Sequence, residues 1–193
     1  MADISALVEQ SRRGDVAAFE NLARLYKDKI HSYICRMAGH PSEAEDLTQE
    51  VFVRAFQSVA KFRGASSFQT WLYRIATNIC VDALRRRKRE ERHAYSLDEP
   101  VMTEDREMDR EVPDTGPRPD GALETTELQA EVHRVIAGLS DKLRAVIVLF
   151  DLQGLSYEEI AETVGCPVGT VKSRLFNARM QLRDRLKSYV EGS

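Results

Sequence analysis

Cysteine is scarce in these 193 residues: Cys35, Cys80 and Cys166 are the only three. Their number is odd, they lie far apart, and they form no Cys-x-x-Cys pair. That excludes a disulfide scaffold and a zinc cluster and fits a reducing, cytoplasmic setting. They read as small buried residues rather than redox sensors. Long apolar runs are missing too. No stretch approaches the ~18–20 residues of a membrane span, so no membrane insertion is expected. The start, Met1-Ala2-Asp3-Ile4-Ser5, is neither basic nor apolar, so no signal peptide is expected. There is no glycine-rich phosphate loop, and the histidines (His31, His40, His93, His133) make no ligand or triad spacing. An enzyme, a metal and a cofactor are therefore not expected. Proline is absent from 1–40 and 42–99, and no stretch alternates polar and apolar residues with period two, so no sheet is expected.

What is there is charge, unevenly spread, and helix. The hydrophobic fraction of 42% can fill a core, and the net charge is −3. Residues 1–92 carry 16 Lys and Arg against 12 Asp and Glu, 93–127 carry 3 against 11, and 128–193 carry 9 against 8. The middle is thus an acidic stretch, with Pro100, Pro113, Pro117 and Pro119, that cannot bury enough apolar surface to offset its ordering entropy. It reads as a flexible linker between an N-terminal domain (1–92) and a C-terminal domain (128–193). Both read as all-α. Helices are expected at 4–13, 15–38, 42–60, 67–92, 124–138, 140–152, 156–164 and 167–190. Asp15 marks a start, as do capping boxes at Ser42 with Glu45 and Ser66 with Gln69. Phe68, Trp71, Leu72, Ile75, Ala76, Ile79, Ala83 and Leu84 make the apolar stripe of the fourth helix, which places Trp71 in the core rather than on a base-stacking platform.

The C-terminal segment carries the sharpest pattern. Ser156 and Glu159 form a capping box, and Ile160, Ala161 and Val164 give an apolar face. Gly165 can end the helix in the left-handed region, and Pro167 suits the first position of the next. Two helices joined so tightly make a helix-turn-helix. The second helix buries Val171, Leu175, Ala178, Leu182 and Leu186. Its other face shows Thr170, Ser173 and Asn177, flanked by Lys172, Arg174, Phe176 and Arg179, which are groups suited to base edges and phosphates. A solvated face on a structural hairpin is the competing reading.

The N-terminal domain has two faces of interest. The fourth helix shows Tyr73, Arg74, Thr77, Asn78, Val81, Asp82 and Arg85 opposite its stripe, then runs into Arg85-Arg86-Arg87-Lys88-Arg89. Five successive cations repel one another unless a polyanion lies alongside, and a phosphate backbone is the obvious one. The alternative is a solvated charge run. The loop before it, Phe62-Arg63-Gly64-Ala65-Ser66-Ser67, could hold an unstacked base. The third helix carries Leu47, Val51, Ala55 and Val59 on one stripe and Asp46, Gln49, Glu50, Val53, Arg54 and Gln57 around it, with Phe52 and Phe56 four apart. Periodicity alone leaves open whether its outer side meets a protein partner or the helix is wholly internal.

Asp46-Leu47-Thr48-Gln49-Glu50-Val51-Phe52, Phe62-Arg63-Gly64, Thr70 to Asn78, Leu155 to Ala161 and Gly165 to Arg174 together resemble the bacterial extracytoplasmic-function sigma factors, group IV of the sigma-70 family. The resemblance implies a dissociable specificity subunit of RNA polymerase. Region 2 (1–92) would bind the polymerase clamp through Asp46, Gln49, Glu50, Phe52, Val53 and Gln57. It would read and melt the −10 element through Phe62, Arg63, Gly64, Ser66, Tyr73, Arg74, Thr77, Asn78, Arg85, Arg86, Lys88 and Arg89. Region 4 (128–193) would touch the polymerase flap and read the −35 element through Thr170, Lys172, Ser173, Arg174, Phe176, Asn177 and Arg179. Arginine is common in the family where Asn177 stands, and an amide favours adenine where a guanidinium favours guanine. The acidic linker would thread toward the basic active-site cleft, imitating nucleic acid. An anti-sigma factor is the implied regulator, and the free chain is expected to be a monomer. A stand-alone helix-turn-helix regulator is the rival; it would need a dimer interface or a sensor domain, and neither is visible.

Overall fold

The computed structural model describes residues 3–39, 41–95 and 131–190. Among them all regular structure is helical. The linker expected at 93–127 lies outside the described residues, apart from 93–95, which continue the fourth helix. So do the first residues of the helix expected at 124–138.

The first half packs α1 (Ile4–Arg12), α2 (Val16–Ala38), α3 (Pro41–Ser58) and α4 (Phe68–Tyr95) around one core. Local chemistry sets the starts. Asp3 caps α1, and the Asp15 carboxylate accepts the Ala18 amide at 3.1 Å to cap α2. Two expected caps differ. α3 begins at Pro41, so Ser42 lies inside its first turn. At α4 the cap is Ser67, whose Oγ accepts the Thr70 amide at 3.0 Å, one residue later than the expected Ser66. Ile30, Tyr33, Ile34, Met37, Val51, Leu72 and Ile79 are fully buried between these helices.

The second half holds α5 (131–137), α6 (Asp141–Ile147), a π turn over Val148–Leu152, α7 (Tyr157–Val164) and α8 (Val168–Val190). The continuous helix expected at 140–152 therefore loosens after Ile147 into i→i+5 bonding, with the Gln153 amide donating to the Val148 carbonyl at 3.0 Å.

The two halves pack against each other. Arg144 of α6 is 7% exposed, and its Nη1 donates to the Met37 carbonyl, near the C-terminal end of α2, at 2.6 Å. Its Nη2 donates to the carbonyls of Ala137 and Leu139. The end of α2 has carbonyls with no intrahelical partner and the negative end of the helix dipole, which suits a cation. Burial still pulls the Arg144 pKa down. The neighbouring Ala38 carbonyl accepts Arg87 Nη1 at 3.2 Å. Across the same seam Tyr73 Oη donates to Gln153 Oε1 at 2.6 Å, Thr70 Oγ1 donates to Glu159 Oε1 at 3.3 Å, and Lys88 Nζ pairs with Asp141 at 2.8 Å.

Replacing Arg144 with Met keeps the aliphatic stem but leaves three buried carbonyls short of a donor. We expect a loss of about 3 kcal/mol or more, seen as a lower denaturant midpoint, because each buried polar group left unpaired costs about 1–3 kcal/mol. A midpoint equal to the parent's would show that the guanidinium is dispensable.

Candidate nucleic-acid interface

In the second half, local sequence builds a rigid two-helix unit. Ser156 Oγ accepts the Glu159 amide at 3.2 Å, and the Ser156 amide donates to Glu159 Oε2 at 2.9 Å, closing the capping box. These bonds hold the Glu159 carboxyl below its usual range. Gly165 takes φ 65° to end α7, a conformation that a side chain there would strain. Pro167 stands one residue ahead of α8, and its carbonyl accepts the Val171 amide at 3.1 Å. Val171, Leu175 and Ala178 are buried, while Leu182 and Leu186 are half-buried. On the opposite side Ser173, Phe176 and Asn177 are exposed, with Lys172 and Arg179 exposed on one flank and Thr170 and Arg174 half-buried on the other. Phe176 is 64% exposed, a large apolar cost for a surface that meets only water.

Beside this helix lie two rings that the sequence reading did not single out. Phe150 and Tyr157 stack with centroids 4.8 Å apart and planes at 15°. Lys172 Nζ sits 5.4 Å from the Tyr157 centroid, and Arg179 Cζ 5.3 Å from that of Phe150. Arg179 also pairs with Asp151, Nε to Oδ2 at 3.2 Å and Nη2 to Oδ1 at 2.5 Å. The π turn brings Phe150 and Asp151 here, and no sequence period announces a π turn.

In the first half, the α3–α4 loop is pinned at both ends. Phe62 is buried against Phe68 and Trp71, and Ser67 caps α4. Between them Arg63 and Gly64 are exposed and Ser66 is half-buried; Gly64 has φ 70°. Trp71 is half-buried against the core, as its stripe position implies. Arg74, Asn78, Arg85, Arg86, Lys88 and Arg89 are exposed.

The outward face expected of α4 needs correction at two residues. Tyr73 is fully buried, its ring edge-on to Tyr33 at 5.4 Å and its hydroxyl on Gln153. Thr77 is 5% exposed; its hydroxyl shares a 2.8 Å hydrogen bond with Tyr33 Oη and donates to the Tyr73 carbonyl at 2.8 Å. Periodicity marks one apolar stripe, but α4 is covered twice, by its own bundle and by the second half of the chain. The basic run divides as well. Arg87 turns toward Ala38 and Glu43, and Lys88 toward Asp141. Arg85, Arg86 and Arg89, with Glu50, Arg54 and Asp82, line a shallow groove between α3 and α4.

On α3, Asp46, Gln49, Val53 and Gln57 are exposed and Glu50 and Phe52 half-buried. The more exposed ring is Phe56, edge-on to Phe19 at 5.2 Å. The outer side of α3 is therefore partly apolar and open, and the wholly internal reading fails. Cys80 is buried, and burial pushes its thiol up to about 12.

Chemically, the chain offers hydroxyl, amide and cationic donors on one exposed helix, and cations beside a presented loop. No group of His, Cys, Asp and Glu that could hold a metal occurs among the described residues. Nor is any described helix long and apolar enough to cross a membrane.

Two expectations follow. Ser156→Ala removes the cap of α7 and should lower stability by about 1 kcal/mol, read by thermal melting; an unchanged melting curve would show that the box is ornamental. Native Cys80 should stay unreactive toward a thiol reagent at pH 8, because its thiolate is suppressed up to about pH 12. Since an unfolded thiol ionises near 9, the same burial should erode stability as pH rises above that value. Rapid native labelling of Cys80 would contradict both.

Comparison with known proteins agrees with this geometry. Residues 22–90 match the Sigma-70 region 2 family and 129–182 the Sigma-70 region 4 family. The chain is 40% identical over 185 residues to the ECF RNA polymerase sigma factor SigW of Bacillus subtilis, covering 95% of this chain and 97% of the relative. It is 42% identical over 176 residues to the RNA polymerase sigma-H factor of Pseudomonas aeruginosa, with 90% and 88% covered. Its structure is similar to that of the sigma factor RpoE in complex with the anti-sigma factor NepR from Bartonella quintana, with a TM-score of 0.69, 27% identity, and 89% and 98% covered. The CnrH structure gives the same TM-score at 22% identity, a likeness of fold. Two matching domains in order, and relatives alike along nearly their whole length, place this chain in the extracytoplasmic-function family of RNA polymerase sigma factors.

Proposed function

We propose that this sigma factor reads its promoters through the two exposed surfaces described above, one on each domain. Region 4 reads the −35 element with Lys172, Ser173, Phe176 and Asn177 at base edges and Thr170, Arg174 and Arg179 around them. The observation that carries this reading is the division of α8 into a buried apolar side and an exposed side bearing donors, cations and an open Phe176 ring. Region 2 reads the −10 element with the Arg63-Gly64 loop and Ser66, Arg74 and Asn78. Arg85, Arg86 and Arg89 lie on the phosphates, and Lys88 joins them once its ion pair with Asp141 opens. Phe62 supports the loop from below. Tyr73 and Thr77 act inside the fold, packed against Tyr33 of α2.

Asp46, Gln49, Glu50, Phe52, Val53 and Gln57, extended by Phe56, form the polymerase-facing side of α3. The match to RpoE bound to NepR supports an anti-sigma factor as regulator. Action in the cytoplasm with RNA polymerase, group IV membership, and an acidic linker passing through the polymerase complete the reading. A stand-alone regulator is disfavoured by the family and by the presence of two separate nucleic-acid surfaces on one chain.

Transcription with purified core polymerase and fragmented genomic DNA should yield new RNA 5′ ends sharing two upstream elements at fixed spacing. Replacing Asn177 with Arg should move the preference at one −35 position from adenine toward guanine, by about tenfold, since a good bidentate base contact is worth about 1–3 kcal/mol. No new starts, or an unaltered preference in the variant, would refute the polymerase role or the recognition-helix assignment, respectively.

A further inference from the structure

We infer that Arg179 is a held guanine reader rather than a phosphate clamp, and that Asp151 and Phe150 are the residues that hold it. The inference rests on the reading of α8 as the helix that enters the major groove.

Arg179 lies seven residues after Lys172 and three after Phe176, exposed on the flank of α8 that meets the π turn. Its guanidinium is fixed from two directions. Asp151 takes the Nε edge through both carboxylate oxygens, at 3.2 and 2.5 Å. The Phe150 ring lies 5.3 Å from Cζ, and Tyr157 backs that ring at 4.8 Å. The pair is only partly buried, with the Arg179 side chain 51% exposed, so its remaining Nη edge is open to a ligand.

The chemistry separates two uses of such a cation. A phosphate clamp works through net charge, and a carboxylate in direct contact cancels that charge and repels the phosphate. A base reader works through two parallel N–H donors in a plane, and gains from being held in place before contact because less rotamer freedom is then lost. A charge-neutral, planar, buttressed fork fits the second use. Its complement is the paired O6 and N7 acceptors of guanine. The Asp151 carboxylate also disfavours any arrangement that brings a backbone phosphate close to the fork.

The bland alternative is a strut tying the π turn to α8. A strut would affect stability and leave base preference alone.

The test is transcription by holoenzyme, full chain plus core polymerase, from a promoter panel with every base at every −35 position. It compares the parent, Arg179→Lys and Asp151→Asn. The parent should prefer guanine at one position by about tenfold. Arg179→Lys keeps the charge and loses the fork; Asp151→Asn keeps the shape and loses the carboxylate. Both should reduce that one preference to about twofold or less, with the other positions unchanged. Asp151→Asn should also steepen the salt dependence of promoter binding by about one in slope, as the freed arginine takes a phosphate. Thermal melting of each variant identifies a folding defect, and Arg179→Lys, an exposed swap, serves if Asp151→Asn melts early. Full retention of the guanine preference in both variants overturns the inference and leaves a strut. Absence of any −35 preference in the parent overturns the recognition-helix reading and the inference with it.

Discussion

The meeting of the two halves of this protein centres on one buried cation. Arg144 carries its charge into the seam between the two domains, where water is excluded and an unpartnered guanidinium would cost several kcal/mol. Three carbonyls receive it, one of them near the end of α2 in the other domain. That helix end is already short of donors, and Arg87 and the left-handed Gly39 complete its cap. Two arginines from two domains thus meet on one helix terminus. With that point fixed, α7 lies along α4, and Tyr73, Thr70 and Lys88 find partners in Gln153, Glu159 and Asp141.

The same seam gives α4 two roles at once. Its first turns are sandwiched, with the Tyr33 and Thr77 hydroxyls sharing a buried hydrogen bond and the Tyr73 hydroxyl turned to Gln153, and desolvation pushes both phenols well above the usual tyrosine range. Its later turns leave the sandwich and present Arg85, Arg86 and Arg89 to solvent. The loop ahead of it follows the same logic on a smaller scale, with both ends anchored and Arg63, Gly64 and Ala65 displayed. A presented loop on fixed ends loses little entropy when a nucleotide orders it.

In region 4 the surface proposed for recognition is likewise supported from behind. The capping box and Gly165 set the angle at which α7 hands the chain to α8. The Phe150–Tyr157 stack then gives two of the cations of α8 a flat side to lie against. Rigidity of this kind bears on specificity more than on affinity, because a held donor distinguishes bases where a loose one finds any acceptor.

The sequence by itself determined much of this protein. Helix order, the Ser156–Glu159 box, the Gly165 turn, the two faces of α8 and the existence of the basic run are all local, and spacing of apolar and polar residues reports them directly. The α3 outer side was legible as an excess of apolar circumference, though not its most exposed ring, Phe56. Only the tertiary structure decided the rest. Tyr73 and Thr77 lie outside the apolar stripe of α4 and are buried against Tyr33 of α2, with Gln153 of the second half closing over the Tyr73 hydroxyl, and no period within α4 carries that information. Asp151 and Phe150 reach Arg179 because a π turn rotates them there, 28 residues away in sequence. Arg144 reads as one more helix-surface arginine until α2 ends beside it. Local rules reach about one helical turn; these three outcomes arise from groups brought together across the fold.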